Sequence, residues 1–187
     1  MPQRAEPSPD LNDPTRRPSA VHVCPLRSLH TMILATGARH LVTVINQLTI
    51  PETPPGLRPD DHLKLAVNDI TMPQDGLVHP SEAHIDELVR FARAWNRQGP
   101  MVVHCWAGIS RSTAAAFITL CTMNPDGAEQ RIAEALRAAS RTATPNTLMV
   151  EIADDRLRRN GRMIEAIESI GRGEVAMEGA PFSLPSR

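Results

Sequence analysis

The sequence contains no tyrosine and has no excess of charge of either sign. Twenty lysines and arginines stand against 21 acidic residues, so the 187-residue chain carries a net charge of -1. A balanced charge gives no overall positive field, and such a field is what draws a protein to nucleic acid or to an anionic membrane. We therefore expect no nucleic-acid partner, and any anion that binds must be held by a local site.

Cysteines are few and long apolar runs are missing. Cys24, Cys105 and Cys121 are widely spaced and form no Cys-x-x-Cys pair. Three isolated cysteines favour a reducing cytoplasm over a disulfide scaffold and speak against a structural zinc site. We find neither a signal-peptide-like apolar run at the start nor a stretch of roughly 20 apolar residues that could span a bilayer. The sequence predicts a cytoplasmic protein without a membrane partner.

Both ends of the chain have compositions that differ from the middle. Residues 1–19 include five prolines and almost no large apolar side chains, which predicts a disordered arm. Residues 171–187 have a similar composition, and we expect a flexible tail there. Residues 20–170 remain as one folded domain, which is a suitable length for a single hydrophobic core.

Within that domain, strand and helix patterns alternate. Ile85, Leu88, Val89, Ala92 and Trp95 recur at helical spacing, and residues 40–46 are rich in the β-branched residues that strands favour. The predicted strands are 21–26, 40–46, 62–67 and 101–105. The predicted helices are 28–38, 81–95, 112–123, 127–140 and 147–170, and a bend in the last helix is expected at Gly161. This alternation predicts an α/β domain with a central, mostly parallel sheet and helices on both faces.

The stretch "HCWAGISRS" joins the fourth predicted strand to a helix that starts near Arg111. Cys105 ends the strand, so the loop lies at the carboxyl edge of the sheet, where ligands collect in open α/β folds. The helix directs unpaired N–H groups and its positive dipole end toward this loop, and such surroundings favour a thiolate. The sequence therefore makes Cys105 a candidate nucleophile beside a bound anion.

Other residues of the loop suit the same chemistry. The guanidinium of Arg111 is a planar fork that matches two oxygens of a phosphate group. Five residues separate Cys105 from Arg111, enough for a loop whose N–H groups surround a tetrahedral anion. Gly108 gives the middle of the loop conformational freedom. Ser112 can donate a hydrogen bond to the sulfur when the sulfur departs as a thiolate.

The pattern His-Cys-x-x-Gly-x-x-Arg-Ser resembles the protein tyrosine phosphatase superfamily, in its small, cysteine-dependent, dual-specificity-like branch. The resemblance implies a phosphomonoester hydrolase that works through a cysteinyl-phosphate intermediate and needs neither a metal nor another cofactor. It assigns substrate binding to the loop positions Trp106, Ala107, Gly108, Ile109 and Ser110. The substrate would be a phosphorylated protein or a small phosphomonoester. Because the chain lacks tyrosine, it cannot dephosphorylate itself on tyrosine.

The resemblance also implies a general acid on a loop some thirty-odd residues before the cysteine. Asp69 lies 36 residues before Cys105 and directly follows the predicted strand 62–67. Asp75 and the pair Asp60–Asp61 are rivals for this role. We favour Asp69 because of its position, since Asp75 lies deeper in the loop and the pair precedes the strand.

Two further positions are expected to support the loop. Arg141–Asn146 resembles the Arg-x-x-x-Pro-Asn segment of the dual-specificity branch, in which the asparagine helps to hold the phosphate loop. Asn146 can also cap the following helix, which alone would explain an asparagine there. Adjacent strand residues point to opposite faces, so we expect His104 to orient the loop by hydrogen bonding and not to act as a base for Cys105.

The five loop positions 106–110 include no basic residue. Related enzymes that act on polyphosphoinositides or inorganic polyphosphates tend to place lysines there, so this substrate class is disfavoured. Two alternatives to a phosphatase remain open: a rhodanese-type sulfurtransferase, which also has a cysteine in an anion-binding loop, and a non-catalytic phosphate-binding module. The presence of Asp69 argues against both. A regulatory disulfide from Cys24 or Cys121 to Cys105 is a weaker hypothesis.

Overall fold

The computed structural model describes residues 19–95 and 97–187. The predicted disordered arm over residues 1–19 thus lies outside the described residues, apart from Ser19. The described residues form five strands: β1 (Ala20–Pro25), β2 (His40–Ile45), β3 (His62–Ala66), β4 (Met101–Cys105) and β5 (Phe182–Pro185). The same part of the chain forms six α-helices: α1 (Leu29–Thr36), α2 (Glu82–Trp95), α3 (Arg111–Met123), α4 (Glu129–Ala139), α5 (Thr147–Arg156) and α6 (Arg162–Ser169).

The strands form one sheet in the order β3-β2-β4-β1-β5. The four strands from β1 to β4 run parallel, whereas β5 is antiparallel to β1. Helix α1 packs with Cys24, Leu41 and Val102 on one face of the sheet, and the other helices enclose the larger core on the opposite face. The predicted α/β domain with a mostly parallel sheet and helices on both faces is confirmed.

Helix α3 passes through the centre of the larger core. Every residue from Arg111 to Cys121 is buried, because α2, α4 and α5 all pack against this helix. The predicted apolar stripe of α2 is likewise buried along its whole length. Within residues 19–95 and 97–187, none of the helices is long and apolar enough to cross a membrane.

The prediction of one helix over residues 147–170 is wrong, because two helices occupy this range, although the break lies at Gly161, where a bend was expected. Helix α5 ends at Arg156, and Asn160 and Gly161 then take the left-handed conformation that breaks a helix. The Asp154 carboxylate accepts hydrogen bonds from the N–H groups of Gly161 at 2.7 Å and Met163 at 2.9 Å. A buried aspartate near the end of α5 thereby fixes the start of α6.

The flexible tail predicted for residues 171–187 is also wrong. Residues 182–185 form β5, and Leu184 is buried against the core. The glycines and prolines of this segment resemble those of a disordered tail, but Phe182 and Leu184 alternate with polar or small residues, as in a half-buried strand. Ser186 adds hydrogen bonds to Ser19 at the other end of the domain. We call residues 173–187 the C-terminal strap.

Candidate active site

A cavity of about 520 Å³ opens at the carboxyl edge of the sheet. Segments that follow β2, β3 and β4 reach it because parallel strands end at the same edge. It is lined by Asn46, Thr49, Asp69, Cys105, Trp106, Ala107, Ile109, Ser110, Arg111, Ala176 and Met177. The structure thus brings the candidate nucleophile, arginine and acid together at one site, as the sequence predicts.

Cys105 lies at the base of this cavity and is only 2% exposed. Its Sγ is 3.1 Å from the hydroxyl oxygen of Ser112, and the Gly108 N–H donates to the sulfur at 3.2 Å. Both contacts can stabilise negative charge on sulfur, because a hydroxyl and an amide N–H are hydrogen-bond donors. Ser112 is itself fully buried behind the cysteine and does not line the cavity.

Gly108 allows the phosphate loop to pack closely against β1, on the side away from the cavity. Its φ is +70°, and a Cβ at this position would lie 2.8 Å from the backbone nitrogen of Pro25. The loop therefore needs glycine here for two reasons, the left-handed conformation and the close approach to β1. Of the five loop positions predicted to bind substrate, Gly108 is the one that does not line the cavity.

The carbonyl groups of the loop are held from outside by separate segments of the chain. Backbone N–H groups donate to them from Leu26 to Trp106 at 3.1 Å, from Gly179 to Ala107 at 2.9 Å and from Thr144 to Ile109 at 2.9 Å. A peptide unit whose carbonyl points outward turns its N–H the other way, toward the interior of the loop. The surrounding segments thereby give the loop the concave set of N–H groups that binds anions.

Arg111 is 6% exposed, and contacts with neighbouring residues hold its guanidinium in place. Nη1 donates to the carbonyl oxygen of Val67 at 2.9 Å, and Nε lies 3.8 Å from Oδ2 of Asp69. Among the described residues, the buried Nε has no hydrogen-bond partner. A fixed guanidinium with donor capacity left over at the cavity is suited to hold phosphate oxygens.

Asp69 lies beside the phosphate loop. Its Oδ1 accepts hydrogen bonds from Ser110 Oγ at 2.7 Å and from Asn146 Nδ2 at 2.9 Å. The rivals are elsewhere: Asp75 is exposed and outside the cavity lining, and Asp60–Asp61 precede β3 at the opposite edge of the sheet. Asp69 is the acidic residue that lines this cavity.

Asn146 holds more than the phosphate loop. Its side chain donates to Asp69 and to the carbonyl of Ile70, and its Oδ1 accepts from the N–H of Met149 at 3.1 Å, capping α5. Its contact with the phosphate loop runs through the backbone, from its N–H to the carbonyl oxygen of Ser110 at 3.4 Å. The side chain therefore positions Asp69 and caps the helix.

His104 points away from the cavity, into a buried row of polar side chains. Its Nε2 is 2.7 Å from the hydroxyl of Thr43, which is 2.8 Å from Nε2 of His62, and His62 Nδ1 in turn contacts Thr53 at 2.9 Å. Burial lowers the pKa of both His104 and His62 to about 4, so both rings are neutral at pH 7. His104 links β4 to β2 and does not contact the cysteine sulfur through its ring.

The other two cysteines have the surroundings of ordinary core residues. Burial, with a smaller contribution from Cys105, raises the pKa of the Cys24 thiol to about 12, and burial raises that of Cys121 as well. All three cysteines are free. In the part of the chain that the structure describes, no group of three His, Cys, Asp or Glu side chains is arranged to hold a metal ion.

The sequence pattern of the Protein-tyrosine phosphatase family matches residues 67–145. This range begins just before Asp69, includes the whole phosphate loop and ends next to Asn146. Over these residues the chain has the sequence pattern of the protein tyrosine phosphatases. It is therefore a cysteine-dependent phosphatase, and the spacing of Cys105 and Arg111 fits the phosphate loop of these enzymes.

Solved structures of dual-specificity-type phosphatases share the fold of this phosphatase. Human DUSP28 is 18% identical with a TM-score of 0.57, and the match covers 76% of this chain and 95% of that one. PTPMT1 in complex with PI(5)P is 19% identical with a TM-score of 0.57, covering 81% and 97%. The Yvh1 phosphatase domain from Chaetomium thermophilum is 20% identical with a TM-score of 0.55, covering 76% and 93%. No curated protein matches the sequence.

Four residues of this phosphatase line the cavity although the sequence analysis did not single them out: Asn46, Thr49, Ala176 and Met177. Asn46 follows β2 as Asp69 follows β3, so its position at a strand end was a usable signal. For Ala176 and Met177, the signal lay in the alternation of Phe182 and Leu184, which brings the strap back to the sheet. The glycines and prolines around it obscured that pattern.

Proposed function

We propose that Cys105 is the nucleophile of a two-step phosphomonoester hydrolysis. Its sulfur attacks phosphorus, an S–P bond forms, and the bond from phosphorus to the leaving oxygen breaks. Asp69 donates its proton to that oxygen, so the product leaves as an alcohol or phenol. Arg111 and the inward N–H groups of the loop bind the phosphate oxygens in both steps.

In the second step, water attacks phosphorus and the S–P bond breaks. Asp69, now a carboxylate, takes a proton from the water, and inorganic phosphate is released. The electron pair of the S–P bond returns to Cys105, where the hydroxyl of Ser112 at 3.1 Å and the N–H of Gly108 at 3.2 Å stabilise the departing thiolate. The observation that carries this proposal is the joint position of Cys105, Arg111 and Asp69 at one cavity.

We propose a phosphotyrosine-like monoester as the substrate class. Arg111 is the one basic residue in the cavity lining, enough for a single phosphate group but not for several. Much of the remaining wall is apolar or neutral, which suits a substrate whose phosphate is carried on an uncharged group.

The free cysteines suit a cytoplasmic protein, and we propose that location.

The test is a panel of phosphotyrosine peptides, phosphoserine peptides, nucleotides and phosphoinositides, the last because PTPMT1 has been solved with PI(5)P. Cys105→Ser should reduce hydrolysis of all substrates to background, while tungstate still binds because the loop and Arg111 are intact. Cys121→Ser is the matched control, since Cys121 is also a buried cysteine but is not part of the cavity lining. Substantial activity in Cys105→Ser would contradict the mechanism.

A further inference from the structure

The C-terminal strap is fixed on both sides of a short exposed span. On one side, the Gly173 N–H donates to the Thr144 hydroxyl at 3.2 Å, and the Glu174 N–H donates to the Arg141 carbonyl at 2.9 Å. On the other side, the Gly179 N–H donates to the carbonyl of Ala107, and β5 then joins the sheet. Residues 175–178 therefore bridge two anchored points at the edge of the cavity.

Two acidic side chains, one just before this bridge and one at its end, have partners outside the cavity. Glu174 forms an ion pair with Arg141, and Glu178 forms one with Arg27. Neither glutamate lines the cavity. The part of the strap that faces the substrate space is consequently apolar and consists of Ala176 and Met177.

Met177 is 96% exposed although it is a large apolar residue, and Trp106, which lines the same cavity, is 57% exposed. Exposed apolar side chains grouped at the mouth of a site mark a surface that a ligand covers. The chemistry of the two side chains is specific: a thioether makes favourable contacts with aromatic rings, and an indole stacks on them. The cavity of about 520 Å³ is larger than a phosphate group needs.

From these observations we infer that Met177 is a specificity-determining residue, which with Trp106 holds the aromatic ring of a phosphotyrosine side chain above the phosphate loop. This inference rests on the proposed function, because the ring is in place only when the phosphate is bound between Cys105 and Arg111. It assigns to the C-terminal strap a direct part in substrate selection. The neutral surroundings fit a tyrosine ring, which is large, flat and uncharged.

The experiment compares Met177→Ala, Met177→Leu and Val175→Ala with the unmodified chain. Val175 is the matched control, since it is 93% exposed on the same bridge but lies outside the cavity lining. Steady-state kinetics are measured with a phosphotyrosine peptide and with the same peptide carrying phosphoserine, and tungstate inhibition reports on the phosphate loop. Met177→Ala should raise KM for the phosphotyrosine peptide about three- to tenfold, with kcat nearly unchanged.

Under the inference, KM for the phosphoserine peptide and tungstate inhibition stay unchanged in Met177→Ala. Met177→Leu restores part of the lost affinity, and Val175→Ala behaves like the unmodified chain. An unchanged KM for phosphotyrosine in Met177→Ala overturns the inference, as does an equal rise for both peptides. Weakened tungstate inhibition also overturns it, because Met177 would then act through the phosphate loop. Absence of Cys105-dependent hydrolysis in the unmodified chain is a different failure, that of the proposed function itself.

Discussion

The phosphate loop and the C-terminal strap both line one cavity, but they are built differently. The loop, residues 105–111, is held by hydrogen bonds to its carbonyls, and its cysteine and arginine are buried. The backbone of the bridge, residues 175–178, is held by hydrogen bonds on either side of it, and its apolar side chains face solvent. A region whose geometry is fixed at nearly every residue suits bond making and breaking, and a region fixed only at its ends suits recognition.

The largest effect is expected for Asp69, the proposed acid, which is hydrogen-bonded to Ser110 of the phosphate loop. Asp69→Asn keeps an oxygen that can accept the hydrogen bonds of Ser110 and Asn146 but removes the proton that the leaving group needs. We expect turnover to fall about 10²- to 10⁴-fold, the usual contribution of general acid catalysis. Kinetics with a poor leaving group will measure this, with Asp75→Asn as the exposed control. If Asp75→Asn has the larger effect, Asp69 is not the acid.

Gly108→Ala tests how little freedom the loop has. The new Cβ would lie 2.8 Å from the backbone nitrogen of Pro25. The alanine would also have to adopt a φ of +70°, which is unfavourable for a residue with a side chain. We expect at least about a 100-fold loss of kcat/KM, because small displacements of catalytic groups are costly. Gly76→Ala is the control, since Gly76 has a φ of +73° with nothing within 4 Å and experiences the backbone strain alone. Equal losses in both variants would show that the fit against β1 is unimportant.

Leu184→Ala tests whether the strap is anchored by β5. Leu184 is 1% exposed within the larger core, so truncation leaves a cavity and should lower the free energy of unfolding by about 2–4 kcal/mol. Denaturant unfolding will measure this, and Leu34→Ala, on the exposed side of α1, should change it by less than about 0.5 kcal/mol. A stability like that of Leu34→Ala would mean that β5 contributes little to the fold.

The smallest effect concerns the buried histidine row behind the loop. His62 and His104 have pKa values near 4 in the folded state and near 6.5 when unfolded, so the unfolded chain binds more protons between these values. Stability is therefore complete above about pH 6.5 and falls as the pH drops, by roughly 1 kcal/mol per histidine at pH 5.5. Between pH 7 and pH 5.5, His62→Gln should lose roughly 1 kcal/mol less stability than the unmodified chain, because one of the titrating rings is gone. The exposed His30→Gln should lose as much as the unmodified chain.

Much of the loop side was predictable because its signals are local in the sequence. The apolar strand before Cys105, the spacing to Arg111 and the position of Asp69 after a strand place these residues at one sheet edge by topology alone. The helix pattern of α2 was equally clear, since its apolar residues recur every three or four positions. Such features depend on residues that are close in the sequence, so the periodic spacing of apolar residues predicts them.

The strap and the break between α5 and α6 depend on contacts that periodicity does not record. Phe182 and Leu184 lie in a strand because they pair with the outer edge of β1. The paired residues are far apart in the sequence: 161 residues separate His22 from Ser183. Helix α5 ends where Asp154 can accept hydrogen bonds from Gly161 and Met163, which a continuous helical pattern does not reveal. The predictions for residues 147–170 and 171–187 thus failed because a side-chain cap and a long-range strand pairing determine the structure there.

The hydrogen bond from Gly179 to Ala107 has a consequence for the order in which the enzyme becomes complete. Gly179 follows Arg111 by 68 residues, so a ribosome adds it roughly 3 to 14 s after the phosphate loop has been made. During that interval the nascent loop has its cysteine and arginine but lacks the hydrogen bond and the apolar wall that the strap provides. Biosynthesis therefore supplies Cys105 and Arg111 first and the apolar wall that we propose selects the substrate afterwards.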